Sequence, residues 1–149
     1  MQGVDVGGGA QTKADVVQAD PALIEATCDE AMAGRPRRVG VLAADGCRRA
    51  GLYQAAFARR EVEALLGGAG DHEAFMDLIY RIKAGDLGSD VRARMRDLAE
   101  GLISAGAEVI VAGCTEVPLV LTPGDLPAPL IDSIDALARA TIAAAGGRP

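Results

Sequence analysis

The feature that most constrains the fold is a short run, Val109-Ile110-Val111-Ala112, that stops at Gly113. It is apolar, mostly β-branched and unbroken by any polar residue. Such a run fits a strand buried on both faces, and strands are buried that way where helices cover a parallel sheet. A thiol, a hydroxyl and a carboxylate follow at once, on Cys114, Thr115 and Glu116. Pro118 then suits the first turn of a following helix, where a missing N–H costs nothing. In an open α/β sheet, ligands bind just outside the carboxyl ends of the strands. A cysteine placed there faces a cleft, and backbone N–H groups at a helix start favour its thiolate. The competing reading of Cys114 is a small hydrophobe capping a core strand.

The 149 residues suit one domain, and half of them are hydrophobic, enough for a sizeable core. Aromatic residues make up only 3% and Trp is absent, so the core is expected to be Ala, Val, Leu and Ile. A net charge of −6 argues against nucleic acid as a partner, because that would call for a basic patch. No apolar run approaches the ~18 residues that cross a bilayer. Met1 to Ala10 has no basic region followed by an apolar stretch, as a signal peptide would. No membrane association is expected. The cysteines, Cys28, Cys47 and Cys114, are odd in number and form no C-x-x-C pair, which points to reduced thiols in a cytoplasm. His72 is the only histidine, a poor basis for a metal site.

Along the chain, residues 1–19 read as a flexible Gly-rich leader and residues 20–149 as a single α/β domain. The leader lacks the preceding strand and following helix that a phosphate-cradling glycine loop needs. Asp20-Pro21 starts a helix to about Ala33. Cys28 falls on its apolar face with Leu23 and Ile24. Arg37 to Ala44 is a strand that turns through Asp45-Gly46-Cys47 into a helix over Arg48 to Ala58. Glu61 to Leu66 is a weak strand. Asp71 caps a helix running to Lys83, with Phe75, Leu78, Ile79 and Ile82 as its core face and His72 exposed in its first turn. A long helix spans Ser89 or Asp90 to Ala105, and its charge run is a solvated face. After the Cys114 strand come a short helical turn at Leu119 to Leu121, a last strand at Pro127 to Ile131 and a final helix. Alternating strands and helices of this kind predict an open parallel sheet of about four strands with helices on both faces.

Several strings in this order resemble the aspartate/glutamate racemase family, whose members are independent of pyridoxal phosphate and use paired cysteines as acid and base. Gly113-Cys114-Thr115-Glu116-Val117-Pro118-Leu119 is similar to the family's second-cysteine motif. Val39 to Gly46 with Gly51-Leu52-Tyr53-Gln54 is similar to the opening of its second domain, and Ile79 to Gly85 and Pro129 to Ser133 match further segments. The resemblance implies one domain of a two-domain racemase fold. It implies Cys114 as an acid/base thiol, and Thr115 with the backbone beyond it as a site for a substrate carboxylate. Lys83 would pair with a distal carboxylate. The loop at Gly46 and Cys47 would help to bind a carboxylate, although the family usually carries Thr where Cys47 stands, and a thiol is the weaker donor. Glu116 is either a carboxylate satisfying N–H groups at a helix start or an orienter of the site. The implied substrate is a small dicarboxylic amino acid or related carboxylate, and no cofactor is implied.

The family's first cysteine sits in a Cys-Asn-Thr-type motif, and this sequence has none; Cys28 stands in Ala-Thr-Cys-Asp. Removing a weakly acidic α-proton needs a positioned base and stabilisation of the carbanion, and racemisation needs an acid on the opposite face as well. One thiol serves one face. Three readings stay open. The chain is a C-terminal racemase domain that works with a partner chain carrying the other domain. Or it is a small enzyme completed by a second copy or by Cys47, or a one-cysteine decarboxylase or isomerase. Or it is a non-catalytic carboxylate-binding domain.

Overall fold

The computed structural model describes residues 20–146, so the leader expected over residues 1–19 lies outside the described residues. In chain order the elements are α1 (Pro21–Ala31), β1 (Arg38–Leu42), α2 (Asp45–Ala50), α3 (Leu52–Ala58), β2 (Glu63–Leu65), α4 (Ala69–Lys83), α5 (Ser89–Ser104), β3 (Val109–Ala112), β4 (Leu130–Asp132) and α6 (Ser133–Ala144). Short 3-10 turns occupy Met32–Gly34, Val117–Leu119 and Pro123–Asp125. All four strands are parallel, in the order β2-β1-β3-β4, with Val39 opposite both Ala64 and Val109, and Ile110 opposite Leu130. The apolar run of β3 is buried along its whole length, as its composition requires.

Alternation along the central strands splits the interior into two cores. Val109 and Val111 pack with Val39, Leu23, Tyr53 and Phe57 against α1 and α3, with Leu137 of α6 beside them. Ile110 and Ala112 pack on the other side with Phe75, Leu78, Val91 and Met95 of α4 and α5. Period-2 side chains on β3 demand this division, and helices on both faces supply it. From β1 the chain goes out to the edge strand β2, then returns past β1 to β3. The order therefore reverses between β1 and β3, and the crevice outside their carboxyl ends is where such a sheet offers a ligand site.

Local signals explain the helix ends, with some corrections. Asp20 caps α1 by accepting from the Ala22 N–H at 2.8 Å. The helix expected over Arg48 to Ala58 is two helices, broken at Gly51 with φ +67°, and Asp45-Gly46-Cys47 is the first turn of α2 instead of a turn before it. Asp71 does not cap α4. The helix starts earlier, after Gly68, and Asp71 in its first turn reaches back to accept from the Gly68 N–H at 3.4 Å. No full helix follows Cys114. Pro118 sits in the middle of a single 3-10 turn, and Pro123 opens another after it. No described helix is long and apolar enough to cross a membrane.

Candidate active site

The site is built where β1 and β3 end. Gly113 continues β3 by donating its N–H to the Leu42 carbonyl at 3.0 Å, and the chain then turns through Cys114-Thr115-Glu116. The Cys114 side chain returns to the α4–α5 side of the sheet and is only 1% exposed. Its Sγ donates to Glu116 Oε1 at 3.1 Å, and Thr115 Oγ1 donates to the same oxygen at 3.2 Å. One carboxylate oxygen thus gathers the thiol and the hydroxyl.

Burial works against the thiolate expected from strand-end placement. Burial pushes the Cys114 thiol up to about 12. The Glu116 backbone N–H works against that rise, the Glu116 carboxylate adds to it, and the Lys83 ammonium works against it more weakly. Desolvation outweighs the donors because a 3-10 turn presents few N–H groups and no extended helix dipole. At neutral pH the group is a thiol whose proton points at a carboxylate.

Lys83 is the last residue of α4 and is exposed, yet its charge reaches Cys114. α4 starts beside Gly67, just past β2, and its last turn brings the Lys83 charge within reach of the thiol. Cys47 goes elsewhere. It is buried in the other core with Cys28 and Tyr53, and burial alone raises its thiol to about 11. Cys47 and Cys114 therefore lie on opposite sides of the sheet. Gly46, beside Cys47, lies exposed in the first turn of α2.

Two features of this edge have no local sequence signal. His72 is half-buried instead of exposed, with Nε2 at 3.1 Å from Asp45 Oδ1, which ties α4 to α2. A small solvent-open cleft lies beside this pair, lined by Val41, Leu42, Arg48, His72, Phe75 and Leu102 among others; Cys114 is not among its walls. Arg48 is already committed there, donating to the Leu66 and Gly67 carbonyls at 2.6 and 2.9 Å. Among the described residues, no group of His, Cys, Asp and Glu side chains is placed to hold a metal ion.

Comparison with known proteins decides the family. The family model for Asp/Glu/hydantoin racemases matches residues 22–141, most of the chain. The chain belongs to the Asp/Glu/hydantoin racemase family. Racemases of this family match it over only part of their length. It is 30% identical to a glutamate racemase of Stutzerimonas stutzeri (strain A1501), over 83% of this chain and 46% of that protein. It is 33% identical to a glutamate racemase of Pseudomonas paraeruginosa, over 73% and 42%. An uncharacterized protein from the pnlA 3′ region of Pectobacterium carotovorum is 28% identical, over 80% of this chain and 81% of its own. The chain thus spans less than half of the two glutamate racemases. The fold recurs in an aspartate racemase homologue from Pyrococcus horikoshii OT3, with a TM-score of 0.73 at 23% identity over 83% of this chain and 55% of that one. It recurs also in an aspartate racemase from Picrophilus torridus, with a TM-score of 0.66 at 23% identity, over 85% and 52%.

Proposed function

We propose that this chain forms one half of a cofactor-independent racemase site for a small dicarboxylic amino acid such as aspartate or glutamate, with Cys114 as one of two acid/base thiols. The observation that carries the reading is the Cys114 Sγ–H held by Glu116 Oε1 at 3.1 Å at the carboxyl end of β3. A neutral thiol there is the acid of the pair. It gives its proton to one face of the α-carbon carbanion, and the thiolate left behind is stabilised by the Glu116 N–H and the Lys83 charge. In the reverse direction the thiolate removes the α-proton from that face. Lys83 takes the distal carboxylate of the substrate; the Thr115 hydroxyl, turned from Glu116 Oε1 to the substrate, takes the α-carboxylate together with the backbone beyond it and the loop at Gly46. Cys47, packed behind that turn, contributes no second thiol to the same face.

The second thiol then comes from a domain bearing the Cys-Asn-Thr motif or from a second copy. The exposed side chains of Leu119, just beyond Cys114, and Tyr80, one turn before Lys83 on α4, support such a docking face at 53% and 63% exposure. One domain over residues 20–149, working in the cytoplasm where its thiols stay reduced, fits this reading. A second reading, a one-thiol enzyme that protonates a single face after decarboxylation, is favoured by the separation of Cys47 from Cys114 across the sheet.

The test is α-proton exchange in heavy water with L- and D-aspartate and glutamate, using wild type and Cys114→Ala. Exchange with retained chirality that disappears in Cys114→Ala is expected of a half-site. Exchange with racemisation means that a complete site assembles from this chain alone. No exchange for any substrate, also when a chain bearing the Cys-Asn-Thr motif is added, would remove the racemase reading.

A further inference from the structure

The residue between β3 and Cys114 is Gly113, and it is glycine for want of space. Its φ is not in the left-handed region. A Cβ there would stand 2.9 Å from Tyr53 Cε2, 3.4 Å from Tyr53 Cζ and 3.3 Å from the Leu42 carbonyl oxygen. Tyr53 cannot yield easily: it is fully buried, and its ring stacks on Phe57 with centroids 6.4 Å apart and planes inclined by 24°. Tyr53 comes from α3, on the side of the sheet away from Cys114, so its ring edge presses on the turn from behind.

The phenol oxygen does something different from the ring. Tyr53 OH and the buried Ser133 Oγ make no well-aligned hydrogen bond, although the Thr27 and Ser133 hydroxyls lie close to the phenol. The nearby Thr27 hydroxyl gives its one proton to the Leu23 carbonyl at 2.7 Å and keeps only its acceptor side for the phenol. An unpartnered buried hydroxyl costs stability. The hydroxyl therefore does not explain why a large planar ring is wedged at this point, and the contact with Gly113 does.

We propose that the Tyr53 ring is a positioning residue for the thiol: its edge sets the height of the Gly113 turn and so holds Cys114 Sγ against Glu116. The inference rests on the reading of Cys114 as the working thiol. Its test follows where the sulfur sits and not turnover, so it can fail while that reading stands.

The test is peptide-resolved alkylation of the purified chain by iodoacetamide between pH 7 and 11, with urea unfolding of each variant alongside. Gly113→Ala, whose Cβ pushes the turn off the ring and the sulfur away from Glu116, is expected to raise the Cys114 rate at least fivefold, so that additive effects with Tyr53→Leu would give about 25-fold. Tyr53→Leu is expected to raise it by a similar factor. The double variant should return to within twofold of wild type, because the smaller side chain makes room for the Cβ; such non-additivity is the mark of a direct contact. Tyr53→Phe keeps the ring edge and should stay within twofold throughout. Additive effects in the double variant would overturn the proposal. So would a Tyr53→Phe effect as large as that of Tyr53→Leu, or Cys28 and Cys47 changing as much as Cys114 in Gly113→Ala. Should Tyr53→Leu fail to fold, Gly113→Ala decides alone, and an unchanged Cys114 profile in it sinks the idea.

Discussion

The Cys114–Glu116 pair sets the chemistry of the candidate site. Glu116 accepts the thiol proton, which favours the neutral form, and its charge opposes the thiolate. Glu116→Gln removes the charge and brings an amide N–H that can donate to the thiolate, so the Cys114 thiol falls below about 12 and more thiolate is present at any pH under that value. Alkylation at pH 8 should rise by about tenfold for each unit of acidity gained. A rate that falls or stays constant in Glu116→Gln would contradict the assigned opposition of the Glu116 charge to the thiolate. Lys83→Met acts the other way, since the ammonium favours the thiolate. Lys83 is exposed, so the slowing should be modest and should shrink as salt is added. Measuring the Cys114 rate at low and high salt separates that long-range term from the contact with Glu116.

Among the elements, the best-buried ones were the most legible in the sequence. The strand around Ile110 was readable because nothing polar interrupts it, and α5 because its apolar positions repeat at helical spacing up to Gly106. The region after Cys114 was not. Pro118 is compatible with a helix start, but only the space on the sheet decides whether a helix follows, and here two 3-10 turns lead into β4. The break between α2 and α3 was also missed, because Gly inside a helical pattern is ambiguous until its φ is known. In the site, Cys114, Thr115 and Glu116 were legible as neighbours in sequence. The press of Tyr53 on Gly113 and the Asp45–His72 pair were not, since each joins distant segments that share no period. Two glycines make the backbone argument measurable. Gly51 sits at φ +67°, so Gly51→Ala should lower stability by about 1 kcal/mol. Gly101 lies in α5 with open space where a Cβ would stand, so Gly101→Ala should raise stability by about 0.5–1 kcal/mol. Urea midpoints at constant slope would check both.

For the whole molecule, three buried thiols make stability depend on alkaline pH. Burial raises Cys28 and Cys114 from 9.0 to about 12 and Cys47 to about 11. A raised folded value means the native state holds protons that the unfolded chain has lost. The stabilisation is full below pH 9 and drains away as pH climbs through the folded values. Each thiol contributes a slope of about 1.4 kcal/mol per pH unit inside that window. Urea unfolding at pH 8 and pH 10.5 should show the loss, and Cys28→Ala should flatten it whatever the offset its cavity adds.

On the proposed racemase reading, the same molecular scale decides how the second face of a substrate would be served. Cys47 is on the far side of the sheet, and Cys114 has no second cysteine on its own side among the described residues. If a second copy supplies the other thiol through the exposed Leu119 and Tyr80, racemisation per protomer must rise with protein concentration and level off with the dimer population. Leu119→Asp should then weaken both association and racemisation, while Cys114→Ala mixed with wild type leaves dimers holding a single thiol and no two-base turnover. If a separate chain supplies it, racemisation is absent at every concentration of this chain and appears in proportion to the added partner. Sedimentation and chirality measured on the same samples distinguish the two, because self-association without racemisation would mean that the thiols of paired copies do not face one substrate.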